Sequence, residues 1–393
     1  MSPTILTVFF HLQDSDEYCG AACAQMVLDS SPINRGILPQ NQLYTESQNN
    51  SVEPAIWFSP PDGLKYVMNH NDSRGFGFFS LVDTPTDNDV RTTQIINTIN
   101  LYKVAPIVLI NNGLHWVVVY GYEVDPEAEP RQIKLYVNNP YYDSGKIVMH
   151  TSGGDACPNN PLARITDSEV PYDIWIRDYL TKASFGSVDN WNGKYVAICD
   201  PAPVEKKILK PFAFKKYTEG NQLINPYQAK EFAMKAIKKH NLFTNKMSVK
   251  YLKKLIPGEP KLVKRIDRKN DYYYIVPIQD VAKNIRAMIN IDARFGTLRE
   301  AGTGQNIQHP LQFKALSHVK IKKAIGDKIN LKKGVTKIYK EAISNYPMLV
   351  WRPCLQSFSP FWPFHLVSLG NQKIFISLDG KVFTKPYIKK GGM

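Results

Sequence analysis

Four side chains in the first half of the sequence have the types and order needed for nucleophilic acyl chemistry: Gln13, Cys19, His115 and Asn139. A cysteine attacks as its thiolate, so it needs a nearby base that holds a proton near neutral pH, which imidazole does. The base needs a third group to fix its tautomer and ring angle, and a side-chain amide oxygen serves. Charge developing on a substrate oxygen needs donors, which the Cys19 backbone N–H and the Gln13 carboxamide could supply.

Each residue must be positioned by an element. LQDSDEYCGAACAQMVL, residues 12–28, places Cys19 at the mouth of an apolar run of small residues. The run has almost no polar face, which predicts a helix over 17–29 buried on all sides. Asp14, Ser15 and Asp16 are suitable capping types just upstream. A thiol on the first turn meets the positive end of the helix dipole, which is expected to lower its pKa. Cys19 and Cys23 also fit as two small buried hydrophobes one turn apart. His115 starts the alternating β-branched and aromatic strand HWVVVYGY, and Asn139 ends the strand QIKLYVNN before Pro140. Asn138 and Asn139 would point to opposite faces of that strand.

Around these sites the pattern predicts a strand over 4–11 and a loop-rich helical subdomain over 30–88. An amphipathic helix over 88–103 follows, carrying Val90, Ile95, Ile96, Ile99 and Leu101, then a short buried strand APIVLI. GKIVMH reads as a further strand and TSGGDACPNNPLAR as a loop holding Cys157. PYDIWIRDYL reads as helical, and NGKYVAICDP as a last strand closing the sheet.

The Gln-x5-Cys spacing, the helix after the cysteine, the strand opening GLHWVVVYGY and the Asn-Pro strand end resemble papain-like cysteine peptidases. The similarity is greatest to the compact bacterial branch of bacteriocin-leader-processing peptidases and related effector proteases, and covers roughly residues 5–200. Carried over by motif, Gln13 matches the oxyanion-hole glutamine, Cys19 the nucleophile, His115 the base and Asn139 the orienting residue. Pro140 selects Asn139 over Asn138. Cys23 would be the nucleophile if CGAAC matched the papain Cys-Gly-Ser/Ala-Cys signature, but three residues separate the cysteines here where that signature has two. The leader-processing branch usually has Asp before the proline, and its members are often fused to transporter membrane domains absent here. The resemblance implies hydrolysis of peptide or amide bonds through a thioester. Acyl transfer or deamidation on the same triad, or a retired fold acting as an interaction module, are the alternatives.

Composition divides the 393-residue chain. Residues 1–200 hold 12 Lys+Arg against 23 Asp+Glu, whereas residues 201–393 hold 37 against 12. The sign change marks a boundary near Asp200, giving a catalytic domain over 1–200 and a basic α+β accessory domain over 201–393. The second half carries helix-like segments over 226–243, HVKIKKAIG and GVTKIYKEAI, and strand-like runs KLVKRID, DYYYIVPIQ, AMINIDARFGTLREAG, PMLVWRP, PFHLVSLG and KIFISLDGKVF. Helix plus antiparallel meander, over 222–302 and again over 312–388, vaguely resembles cystatin-like or PepSY-like modules.

Other functions draw weaker support. Lysines with Tyr272, Tyr273 and Tyr274 as a stacking platform would suit nucleic acid, but spread lysines usually mark a solvated surface and no nucleic-acid motif is present. An acidic protein partner fits the basic half better. Cys354, Gln356 and His365 lie in an aromatic, proline-rich stretch that reads as core, and His240 reads as a core histidine. AGTGQN lacks a full phosphate-loop pattern, and no CxxC pair or HExxH supports a metal, so no cofactor is expected. Five cysteines, an odd and small number, argue for a reducing, cytoplasmic setting. The N-terminus lacks a basic n-region, and no apolar run reaches the ~18–20 residues of a membrane span.

Overall fold

The structure is a computed structural model. It describes residues 3–84, 87–125, 132–141, 165–184, 190–200, 222–244, 252, 254–304, 310–311, 313, 315–325, 328–331, 334–337, 347–369, 372–387 and 391–392. GKIVMH, the Cys157 loop and the residues just after Asp200 lie outside these.

The acidic half runs β1 (Thr4–Ile5), α1 (Cys19–Asp29), α2 (Gln40–Asn49), α3 (Pro61–Asn71), β2 (Ser80–Val82), α4 (Asn88–Tyr102), β3 (Ile107–Ile110), β4 (His115–Asp125), β5 (Gln132–Asn138), β6 (Ile165–Pro171), α5 (Tyr172–Ile174) and β7 (Ala197–Cys199). The basic half runs α6 (Pro226–Lys239), β8 (Ile256–Pro257), β9 (Lys261–Arg265), β10 (Tyr272–Gln279), β11 (Ile285–Asp292), β12 (Leu298–Gly304), α7 (His318–Ile325), β13 (Lys328–Leu331), β14 (Gly334–Lys337), β15 (Met348–Trp351), β16 (Phe364–Leu369), β17 (Gln372–Ser377) and β18 (Val382–Phe383). The architecture is α+β, organised on a mixed sheet in the order β18-β17-β16-β15-β9-β10-β11-β12-β6-β5-β4-β3-β7-β2, with β1 on β4 and β8 on β10. The β9–β15 pair is parallel and the other pairs are antiparallel. The sheet passes without a break from one half to the other where β6 pairs with β12. In the basic half, α6 packs on the β10–β12 face, and α7 packs on β16 and β17.

Charge complementarity reinforces that junction. The Lys134 ammonium bridges Glu169 at 2.8 Å and Glu123 at 3.1 Å, and donates to the His240 carbonyl at 2.8 Å. Asp178 is buried among Arg177, Arg265 and Arg268, whose charges hold its carboxyl well below the usual range against the opposing effect of burial.

β4 is buried on both faces. Trp116, Val118 and Tyr120 face the cluster around α1, while Val117 and Val119 face the one holding Ile95, Ile99 and Trp175. This gives the apolar Trp116–Tyr120 part of the strand its partners on each side. α1 is buried from Cys19 to Leu28 because alanine, glycine and cysteine let its neighbours approach closely. A Cβ on Gly20 would stand 2.4 Å from the Ser59 Cβ.

Several local expectations change. The strand expected over 4–11 is reduced to Thr4–Ile5, because side-chain and corner contacts replace the ladder: the Phe9 N–H goes to Ser30 Oγ and the Gln13 N–H to the Pro140 carbonyl. α1 is capped by Tyr18, with no side-chain cap bond, rather than by Asp14, Ser15 or Asp16. α4 is capped by Asp87, which accepts the Val90 N–H at 2.7 Å, and its Leu101 faces solvent. The segment after α5 winds as a π-helical turn over Trp175–Tyr179. β7 sits between β3 and β2 rather than at the sheet edge. Gly334–Lys337, expected to be helical, pairs as a hairpin with β13, where β-branched Val335 and Thr336 favour extended backbone. Among the described residues no helix is long and apolar enough to cross a membrane.

Candidate active site

The start of α1, which carries Cys19, the start of β4, which carries His115, and the end of β5, next to Asn139, come together. The Trp116 backbone N–H lies 3.4 Å from the Cys19 sulfur, so the thiol rests against the peptide unit joining His115 to Trp116. His115 Nε2 is 2.7 Å from Asn139 Oδ1. That oxygen also accepts the Tyr141 backbone N–H at 3.0 Å. Because a backbone N–H can only donate, the amide atom facing the imidazole is the oxygen. The neutral imidazole must therefore carry its proton on Nε2, leaving Nδ1 as the basic nitrogen. Asn138 stays in the β5 ladder opposite Val118, so the hydrogen-bonding geometry favours Asn139 as the imidazole's partner.

Gln13 is tied to the same corner through its N–H to the Pro140 carbonyl at 2.9 Å. Its Nε2 donates to the Ser15 carbonyl at 2.8 Å, and its Oε1 is buried with no hydrogen-bond partner among the described residues. The carboxamide donor is thus engaged locally in this state. Tyr18 supplies no capping oxygen to the first turn of α1, and first-turn N–H groups have no intrahelical partner. Those N–H groups lie beside the thiol.

The site is closed. Cys19 and His115 are 0 % exposed and Gln13 1 %. Burial pushes the Cys19 thiol far up, outweighing hydrogen bonds from Trp116 and Gly20 that act the other way. The low pKa expected from the helix terminus is therefore not realised: desolvation dominates while the sulfur is sealed. Cys23, one turn along, is also buried and its thiol is raised too.

Two parts of the seal come from the basic half. Phe358 stacks on the His115 ring at 4.4 Å with an interplanar angle of 5°, and meets Tyr141 edge-on at 5.9 Å. The Tyr141 hydroxyl donates to the Gln356 carbonyl. Gly391 and Gly392 lie between two walls. The Gly391 N–H donates to Ile56 O at 3.3 Å, its carbonyl accepts the Phe58 N–H at 2.9 Å, and the Gly392 N–H donates to Gly113 O at 2.8 Å.

Sequence reasoning missed Phe358 and this glycine pair; the aromatic, proline-rich run around Phe358 was the available signal. Cys354 and His365 form no second site. Cys354 is buried, and His365 Nε2 accepts the Leu316 N–H at 3.0 Å. Burial lowers the His365 pKa to about 4. Tyr273 and Tyr274 are buried, with hydroxyls donating to Pro360 O and Ile224 O, so the tyrosine run offers no stacking platform. Among the described residues no group of His, Cys, Asp and Glu could hold a metal.

No protein-family model matches the chain, and no curated protein matches it. Among solved structures, the chain is similar to the Bacillus megaterium YpeB C-terminal domain at 11 % identity and a TM-score of 0.18, over 76 % of this chain and 95 % of that one.

Proposed function

We propose that residues 1–200 form a papain-like catalytic domain and that the protein is a cysteine peptidase. The observation carrying this reading is the His115–Asn139 bond at 2.7 Å beside a thiol held 3.4 Å from Trp116 N. His115 Nδ1 takes the Cys19 proton, and the thiolate attacks an amide carbonyl. The oxyanion is met by N–H groups at the start of α1 and by the Gln13 carboxamide once it leaves Ser15. His115 then protonates the departing amine, and water, activated by the same ring, hydrolyses the thioester. An amine in place of that water would make the reaction acyl transfer.

The basic half is read as two helix-plus-sheet modules of cystatin-like or PepSY-like kind, joined edge to edge at β9 and β15. It presents a surface for an acidic protein partner. The four described cysteines are all free, which fits a cytoplasmic setting.

A second reading, a retired fold used for binding, draws on the complete burial of Cys19. Incubation with a mixed peptide pool, followed by mass spectrometry, separates the two. The experiment uses the unmodified chain, a Gly392→Leu chain in which the seal is disturbed, and each with Cys19→Ala. Cleavage that disappears in the Cys19→Ala proteins while their circular dichroism is unchanged supports the peptidase. Absence of cleavage in both cysteine-containing chains, or cleavage that survives Cys19→Ala, rejects it.

A further inference from the structure

Three turns, drawn from both halves, bring cations together around a cavity of about 320 Å³. The π-helical turn Trp175–Tyr179 contributes Arg177, the turn from β9 to β10 contributes Arg268 and Lys269, and the turn from β11 to β12 contributes Arg294. Arg299, near the start of β12, completes the set.

Like charges this close repel, so each needs an anion beside it. Three of them have one. Asp178 holds Arg177 at 2.8 Å and also holds Arg268. Asp292 holds Arg299 at 2.7 Å, and Asp271 pairs with the same guanidinium. The other oxygen of Asp292 accepts the Arg294 and Phe295 backbone N–H groups at 2.9 and 3.2 Å. Among the described residues no carboxylate pairs with the Arg294 guanidinium or the Lys269 ammonium. Arg294 Nε is moreover buried with no hydrogen-bond partner among the described residues. A buried donor left open weakens the fold unless a further group accepts from it.

Two cations therefore stand in excess, which matches a phosphate monoester, about −2 in charge at neutral pH. Tyr272 and Phe295 line the same cavity and give it a flat apolar wall. Its volume lies at the lower end of the ~300–1,000 Å³ of small-ligand pockets. We propose that this cavity binds a small phosphomonoester with an aromatic or other planar body. The phosphate lies on Arg294 and Lys269, and the body lies against Phe295 and Tyr272. The inference does not depend on the Cys19 reading, because no residue of the candidate triad lines the cavity.

Isothermal titration calorimetry of the full chain with phenyl phosphate tests it, with a Kd of about 1 mM or tighter expected. Arg294→Gln should weaken binding about tenfold and Lys269→Gln about threefold, with circular dichroism unchanged. Lys269 is exposed, so that variant reads the site even where Arg294→Gln disturbs its turn. Lys373→Gln, at an exposed β17 position outside the cavity, should leave the affinity as it is. Phenyl sulfate, a monoanion of the same shape, and inorganic phosphate should both bind severalfold more weakly. No saturable binding up to about 10 mM phenyl phosphate, or unchanged affinity in both cavity variants, overturns the site. A loss in Lys373→Gln equal to theirs does the same. Equal affinity for phenyl sulfate overturns the dianion assignment, and equal affinity for inorganic phosphate overturns the planar body.

Discussion

Asn139→Ala tests the geometry on which the chemistry depends. The Asn139 side-chain oxygen accepts two hydrogen bonds, from His115 Nε2 at 2.7 Å and from the Tyr141 N–H at 3.0 Å, and all three residues are buried. Removing it orphans two donors. At about 1–3 kcal/mol for each buried donor left unsatisfied, the variant should lose about 2–6 kcal/mol of stability. The imidazole also loses the bond that selects its tautomer. With one bond of about 1 kcal/mol or slightly more biasing Nε2–H, the preference should fall by about tenfold. Nitrogen-15 NMR of the histidine rings reads the tautomer directly in the intact chain, and urea unfolding reads the stability. Asn139→Asp keeps the acceptor and should keep the Nε2–H form, while its carboxylate favours the imidazolium and moves the ring's titration upward. If Asn139→Ala leaves both the His115 ring signals and the unfolding midpoint unchanged, Asn139 does not orient the base and the assignment of the triad fails.

Two further perturbations probe the junction between the halves. Burial pushes Glu300 up to about 7 from an ordinary 4.5, against hydrogen bonds from Tyr179 and Ser168. The folded chain therefore binds more protons than the unfolded one between those values, so this contribution is fully present below 4.5 and is lost as pH rises toward 7. Glu300→Gln should remove that slope and stabilise the protein at pH 8 by at most about 3 kcal/mol; thermal melts at pH 4 and pH 8 that shift equally would contradict this. Lys134→Met strips the buried Glu169 of its partner at 2.8 Å and should cost about 3–5 kcal/mol in urea titrations. A loss under about 1 kcal/mol would mean that the pair does not brace β5 against β6 beside the junction.

The sequence alone marked the candidate residues along the chain. Cys19, His115 and Asn139 stood out because each sits at the end of a segment with a strong local pattern (the small-residue helix, the β-branched strand and the Asn-Pro strand end), and Gln13 stood out only by its spacing from Cys19. Their order survived folding because β4 and β5 are hairpin neighbours and α1 packs on β4. Local patterns failed where a distant partner decided the outcome. Phe9 turns its N–H to Ser30 and Gln13 its own to Pro140 instead of extending β1, and Val335 and Thr336 become a strand because β13 is there to pair with.

The state of the site was not legible at all. Dipole reasoning along α1 predicts an acidic thiol, yet burial raises it, and residues more than two hundred positions away pack on the neighbouring imidazole and on the segment before α3. Phe358 over His115 and the glycines at 391–392 are ordinary residues in the linear chain. They acquire meaning only because the sheet continues through β6 and β12, which carries the basic half back onto the first. Residue type and spacing are local properties, whereas desolvation and stacking depend on which surfaces the whole chain brings together.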